Sequence, residues 1–102
     1  MSEVVGSLKK TQSERIQRTI DVTNSLPSGQ TLSSGAVKLY DIGRKEVSAY
    51  VSTGTVSGSK IISSILPGSP SLGLGRYTWR FLATLSNQEV LAFDIHVRIL
   101  PD

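Results

Sequence analysis

From Gly75 to Leu100 the chain alternates. Tyr77, Trp79, Phe81, Ala83 and Leu85 take every second position, with Arg76, Thr78, Arg80 and Thr84 between them. After Ser86-Asn87-Gln88 the pattern resumes: Leu91, Phe93, Ile95, Val97 and Ile99 interleave with Ala92, Asp94, His96 and Arg98. Strand side chains point to opposite faces with period two, so this is a β-hairpin with one apolar and one wet face. Facing residues on an antiparallel pair share a side. With Ser86-Asn87-Gln88 as the loop, Phe81 faces Phe93, Trp79 faces Ile95 and Tyr77 faces Val97. On the wet face Arg80 then meets Asp94. The only Trp and both Phe residues lie here, so the rest of the chain must pack against this hairpin.

A chain of 102 residues is one domain. Its apolar fraction of 38% implies a modest core. Ser, Thr, Gly, Val and Ile dominate what remains, the composition of a small antiparallel β protein with many turns. With no Cys there is no disulfide framework and no thiolate chemistry. A net charge of +3, spread over the start, the middle and the hairpin, reads as solubility rather than a nucleic-acid footprint. The start of the chain is too short and polar for a secretory signal, and no run is long and apolar enough to span a membrane.

Residues 1–14 show no sustained period and read as a flexible N-terminal arm. If the arm docks on a neighbour, Val4, Val5 and Leu8 are its apolar anchors, with Lys9 and Lys10 as charge. Residues 15–102 then form the domain. Arg15 to Val22 reads as a strand with Ile16, Ile20 and Val22 inward; its β-branched run Thr-Ile-Asp-Val-Thr argues against a helix. Leu26 is a plug beneath the core, and Pro27 and Gly29 mark a turn. Thr31 to Asp41 is a strand with Val37 and Leu39 inward. Asp41-Ile-Gly-Arg-Lys is a turn, and Glu46 to Thr53 is the next strand. Gly54 to Ser59 reads as a break or bulge, Lys60 to Leu66 as a strand, and the Pro- and Gly-rich stretch from Pro67 to Gly75 as a crossing loop.

Catalytic chemistry finds little to work with. A catalytic His needs an orienting group and a nucleophile, and His96, the only His, lies on the wet face between Asp94 and Arg98. The carboxylates are scattered, with no DxDxDG loop, so no metal ligands, cofactor-binding residues or catalytic residues are expected. The glycine-rich loop feeds a strand, which leaves no helix N-terminus to hold a phosphate. Tyr77 opens the penultimate strand, where immunoglobulin-like sandwiches turn a tyrosine hydroxyl back onto the preceding corner. Tyr40 and Tyr50 fall out of phase with the inward positions of their strands, so they are candidates for contact with a protein or a sugar ring. Arg80 and Arg98 are the wet-face candidates. These residues frame the expected fold: all-β, an immunoglobulin-like β-sandwich of about seven antiparallel strands in two sheets.

The segment Thr19-Ile-Asp-Val-Thr-Asn-Ser-Leu-Pro-Ser-Gly-Gln-Thr-Leu-Ser-Ser-Gly-Ala-Val has the form T-I-D-x-[ST]-x-x-L-x-x-G-x-T-[IL]-S-S-x-x-V. A Gly-rich corner then enters Gly-Arg-Tyr-Thr-Trp-Arg-Phe, and the chain closes on Phe-Asp-Ile-His-Val-Arg-Ile. Over Ser13 to Leu100 this resembles a family of small immunoglobulin-like proteins of tailed bacteriophages and prophages, whose genes sit among the structural genes. Members commonly carry a Gly in the final hairpin turn, where this chain has Ser86-Asn87-Gln88. The resemblance implies a non-enzymatic virion component, made in the bacterial host cytoplasm, that decorates the capsid or fits into the neck or tail. Its partners would be major capsid or neck and tail proteins, or further copies of itself. It implies no cofactor, small-molecule substrate, nucleic acid or membrane. The other reading the residues leave open is a carbohydrate- or cell-surface-binding module acting through Tyr40 or Tyr50.

Overall fold

The computed structural model describes residues 2–47, 55–63 and 73–101. Within them the chain is all-β, with seven strands: β1 (Ser2–Thr11), β2 (Thr19–Asp21), β3 (Leu32–Asp41), β4 (Thr55–Ser57), β5 (Lys60–Ile62), β6 (Gly75–Leu85) and β7 (Val90–Leu100). A mixed sheet runs in the order β1-β7-β6-β3, and a smaller antiparallel sheet in the order β2-β5-β4. In the larger sheet only β1 runs parallel to its neighbour.

The β6–β7 hairpin has the register its alternation dictates. Phe81 faces Phe93, Trp79 faces Ile95, Tyr77 faces Val97 and Arg80 faces Asp94. The loop is Ser86-Asn87-Gln88: the Gln88 amide donates to the Leu85 carbonyl at 2.9 Å, and the Leu85 amide to the Glu89 carbonyl at 2.8 Å. Closing so short a loop puts Gln88 in the left-handed region, at φ 72°. The turn after β3 is built the same way. The Arg44 amide donates to the Asp41 carbonyl at 3.0 Å, the Asp41 amide to the Lys45 carbonyl at 2.9 Å, and Arg44 sits at φ 64°.

The two sheets meet through their apolar faces. Trp79, Phe81, Val37, Leu39, Phe93 and Ile95 of the larger sheet join Ile20, Val22 and Ile61 in one buried cluster. Trp79 and Phe81 lie with centroids 5.3 Å apart, tilted by 49°. Leu26 packs against this cluster as the expected plug, and the turn beside it holds Gly29 at φ +82°. Gly35 marks a close approach of the sheets: a Cβ there would lie 3.0 Å from Cγ1 of Ile61. Glycine at that position lets Ile61 fill the gap, which a larger residue would force open.

Three expectations need correction. Most of the expected flexible arm, residues 1–14, is strand: Ser2–Thr11 forms β1, paired with β7 from Ser2 opposite Ala92 to Thr11 opposite Leu100. The irregularity between Val4 and Gly6 shifts its phase and erases the period-two signature. The expected break at 54–59 contains β4, which turns through Gly58 at φ 61° to pair with β5. The strand expected from Arg15 to Val22 is regular only over Thr19–Asp21. Of the strand expected at 46–53, Glu46 and Val47 are described; Glu46 bridges to Tyr40, and the remainder lies outside the described residues.

Candidate functional site

One face of the larger sheet packs on the core, and the other carries the chemistry. By register the outer face is built in rows that cross the strands. Lys9 on β1 lies beside Arg98 on β7, and Arg98 lies opposite Arg76 on β6. The next row is Ser7, His96, Thr78 and Tyr40. The row beyond it holds Asp94, Arg80 and Lys38. The turn that carries Ile42 and Arg44 rises beside the first two rows, and together they bound a groove of about 1090 Å³.

Charges on this face are unevenly matched. Arg80 grips Asp94 fork on fork, Nε to Oδ1 at 2.8 Å and Nη2 to Oδ2 at 3.1 Å. Asp94 holds the Arg80 guanidinium above its ordinary pKa by this hydrogen bonding. The Arg80 guanidinium also lies over the Tyr40 ring, 5.2 Å from its centroid. Lys38 pairs with Glu46 at 3.5 Å. Asp41, the other carboxylate of the groove, accepts the Lys45 amide at 2.9 Å. Among the described residues, no carboxylate pairs with Lys9, Arg76, Arg98 or Arg44.

The expected contact residues divide. Lys9, Tyr40, Arg80 and Arg98 come together on this one face. Val4 and Val5 are exposed at the open edge of β1, 56% and 44% accessible, and Val5 lines a second, smaller crevice between β1 and β2. Leu8 faces Val97 and packs against the core. Lys10 faces Ile99 and is buried, its Nζ donating to the Thr11 carbonyl at 2.8 Å, so it offers no surface charge to a partner. Tyr50 lies outside the described residues. Arg44 joins the groove without having been anticipated. The sequence marks the turn at Asp41-Ile-Gly-Arg-Lys, but not that its left-handed position is Arg44 rather than Gly43.

Asp94, on the same face as His96 and two residues before it, has both carboxylate oxygens engaged by Arg80, and Ser7 and Thr78 are the cross-strand neighbours of His96. Among the described residues no group of three His, Cys, Asp or Glu side chains could hold a metal ion, and no helix is long and apolar enough to cross a membrane.

The chain matches no protein-family model and no curated protein in sequence. The residues that carry the phage resemblance can still be placed. Asp21 Oδ1 accepts both the amide and the hydroxyl of Thr23, at 3.0 and 2.6 Å, and ends β2. Leu26 packs on the core, Gly29 makes the left-handed turn, and Ser34 follows the irregularity that opens β3. Tyr77 Oη donates to the Gly73 carbonyl at 3.0 Å, the corner expected of it. Each of these residues shapes the fold, and none lies among the unpaired cations.

Proposed function

We propose that the protein is a non-enzymatic, immunoglobulin-like docking module that fastens to a protein assembly, as an accessory component of a tailed-phage virion. The fold reading is supported by strand order. In immunoglobulin-like sandwiches the second, fifth and fourth strands share one sheet and the third, sixth and seventh the other. The sheet orders here, β2-β5-β4 and β3-β6-β7, fit that plan, with β1 added beside β7. The Tyr77 corner on the penultimate strand supports it further.

The observation that carries the functional reading is the outer face of the larger sheet. It presents an open groove whose lining includes Lys9, Arg44, Arg76 and Arg98, cations that have no carboxylate partners among the described residues. Such a face suits recognition of another macromolecule. The placement in a phage particle rests on the resemblance and is an analogy at the level of fold and motif. On a symmetric particle, many weak copies act together, so avidity replaces a large interface. The sugar-binding reading loses ground because Arg80 covers a face of the Tyr40 ring.

The test is cosedimentation of the purified protein with particles of the phage that encodes it. Saturable binding at a fixed number of copies per particle is expected. Binding to a glycan array with none to particles overturns the proposal. Removing residues 1–14 would not be a clean probe of docking, because it strips β1 from the sheet.

A further inference from the structure

The cation row and the Ile42 rim point to one class of partner. Resting on the docking reading above, we propose that the groove binds an acidic, extended peptide segment of the partner protein. Its carboxylates engage Lys9, Arg98 and Arg76, and an apolar side chain lies against Ile42.

The row is a costly arrangement in the free protein. Lys9, Arg98 and Arg76 occupy directly opposed positions on three adjacent strands. Like charges opposed across strands repel. Neighbouring strands lie about 4.8 Å apart, so the row is roughly 10 Å long. Side chains on one face of an extended peptide repeat every ~7 Å, so two acidic residues at alternate positions fall within its length. Arg76 and Arg98 can each hold a carboxylate through a two-pronged guanidinium contact, as Arg80 already holds Asp94 a few residues away.

Three observations favour a peptide over a nucleic-acid backbone. Ile42 is 76% exposed at the groove rim, an apolar contact that a phosphate chain would leave unused. Aromatic platforms for base stacking are compromised: Tyr40 lies beneath Arg80, and Tyr77 packs against the core. Asp41 also lines the groove, where it would oppose a continuous run of phosphates more than a peptide whose carboxylates alternate with neutral side chains.

The experiment measures binding of the intact protein, by fluorescence anisotropy at low salt, to a labelled soluble peptide with Glu at alternate positions and one Leu. The same peptide with Gln for Glu, and a duplex DNA oligonucleotide, are run beside it. The Glu peptide is expected to bind and the Gln peptide to fail. Lys9→Ser, Arg76→Ser and Arg98→Ser should each weaken binding about tenfold, while Lys60→Ser, on the other sheet, leaves it unchanged. All three groove positions are exposed, so thermal melting should show the variants folded. Equal binding of the Gln peptide, tighter binding of DNA than of the Glu peptide, or indifference to both arginine variants overturns the proposal. Particle cosedimentation separates the two claims. If wild-type protein binds particles and the Arg76→Ser/Arg98→Ser double variant binds them equally, the acidic-segment proposal fails and the docking reading stands. If wild-type protein binds no particle, the docking reading fails, whatever the peptide does.

Discussion

Arg76 and Arg98 stand directly opposite each other across β6 and β7, and no carboxylate among the described residues pairs with either. Opposed like charges on a sheet are destabilising. Replacing either arginine with serine should therefore stabilise the protein by a few tenths of a kcal/mol at low ionic strength, a gain that shrinks as salt screens the repulsion. Urea unfolding at two salt concentrations checks this. A stabilising substitution that also weakens binding is the mark of a site maintained at a cost to the fold.

Arg80 and Asp94 make the opposite case, and their loss is asymmetric. The Asp94 side chain is 6% exposed and that of Arg80 33%. Removing Arg80 takes the two-pronged cationic partner from a buried carboxylate, so Arg80→Ala should cost about 2–3 kcal/mol, less than a fully buried pair because the guanidinium partly reaches water. Asp94→Asn leaves a cation that can turn to solvent and should cost about 1 kcal/mol. Equal losses in the two variants, measured by chemical denaturation, would contradict this ordering.

The final hairpin turn asks a non-glycine residue to hold φ 72° at Gln88. Glycine occupies that region without strain. Gln88→Gly should stabilise the protein by about 0.5–1 kcal/mol, the strain relieved being partly offset by the greater freedom of glycine when unfolded. Arg44→Gly relieves the same geometry at φ 64°, but it also removes a groove cation. It should raise the melting temperature while lowering affinity for the acidic peptide. Thermal melts of both variants test the common turn geometry.

Acid should loosen the corner after β2. The Thr23 hydroxyl, then the Thr23 amide and more weakly the charge of Lys60, hold the Asp21 carboxyl below its ordinary value of 3.8. A carboxyl depressed in the folded state contributes stability that is present above its unfolded value and lost as pH falls through the folded one. Stability should thus be insensitive to Asp21 above about pH 5 and decline below pH 4. Asp21→Asn should flatten part of that decline in a series of denaturation curves. Arg80, held above its ordinary value by Asp94, contributes no slope near neutrality, because its stabilisation is lost only in strong alkali.

The hairpin was legible because its alternation is long, unbroken and closed by a loop short enough to permit one register. That register placed Arg80 against Asp94 and, by the same spacing, Arg76 against Arg98. β1 was not legible. Its partner is the far end of the chain, no turn residue announces a parallel pairing, and the shift at Val4 and Gly6 moves Lys10 inward while Lys9 faces out. A flexible-arm reading therefore grouped two lysines that the fold separates. β4 spans only Thr55–Ser57, just before the turn at Gly58, too short for any period to show. The groove depended on the first of these: without β1 there is no Lys9 in the row.

The central claim is that this chain docks on a protein particle through the outer face of its larger sheet. Electron microscopy of virions of the phage proposed to encode it tests it most directly. The claim predicts ordered, symmetry-related copies of the protein, with Lys9, Arg76 and Arg98 turned toward acidic side chains of the underlying subunit. Particles that lack the protein, or copies bound with that face open to solvent, would contradict it.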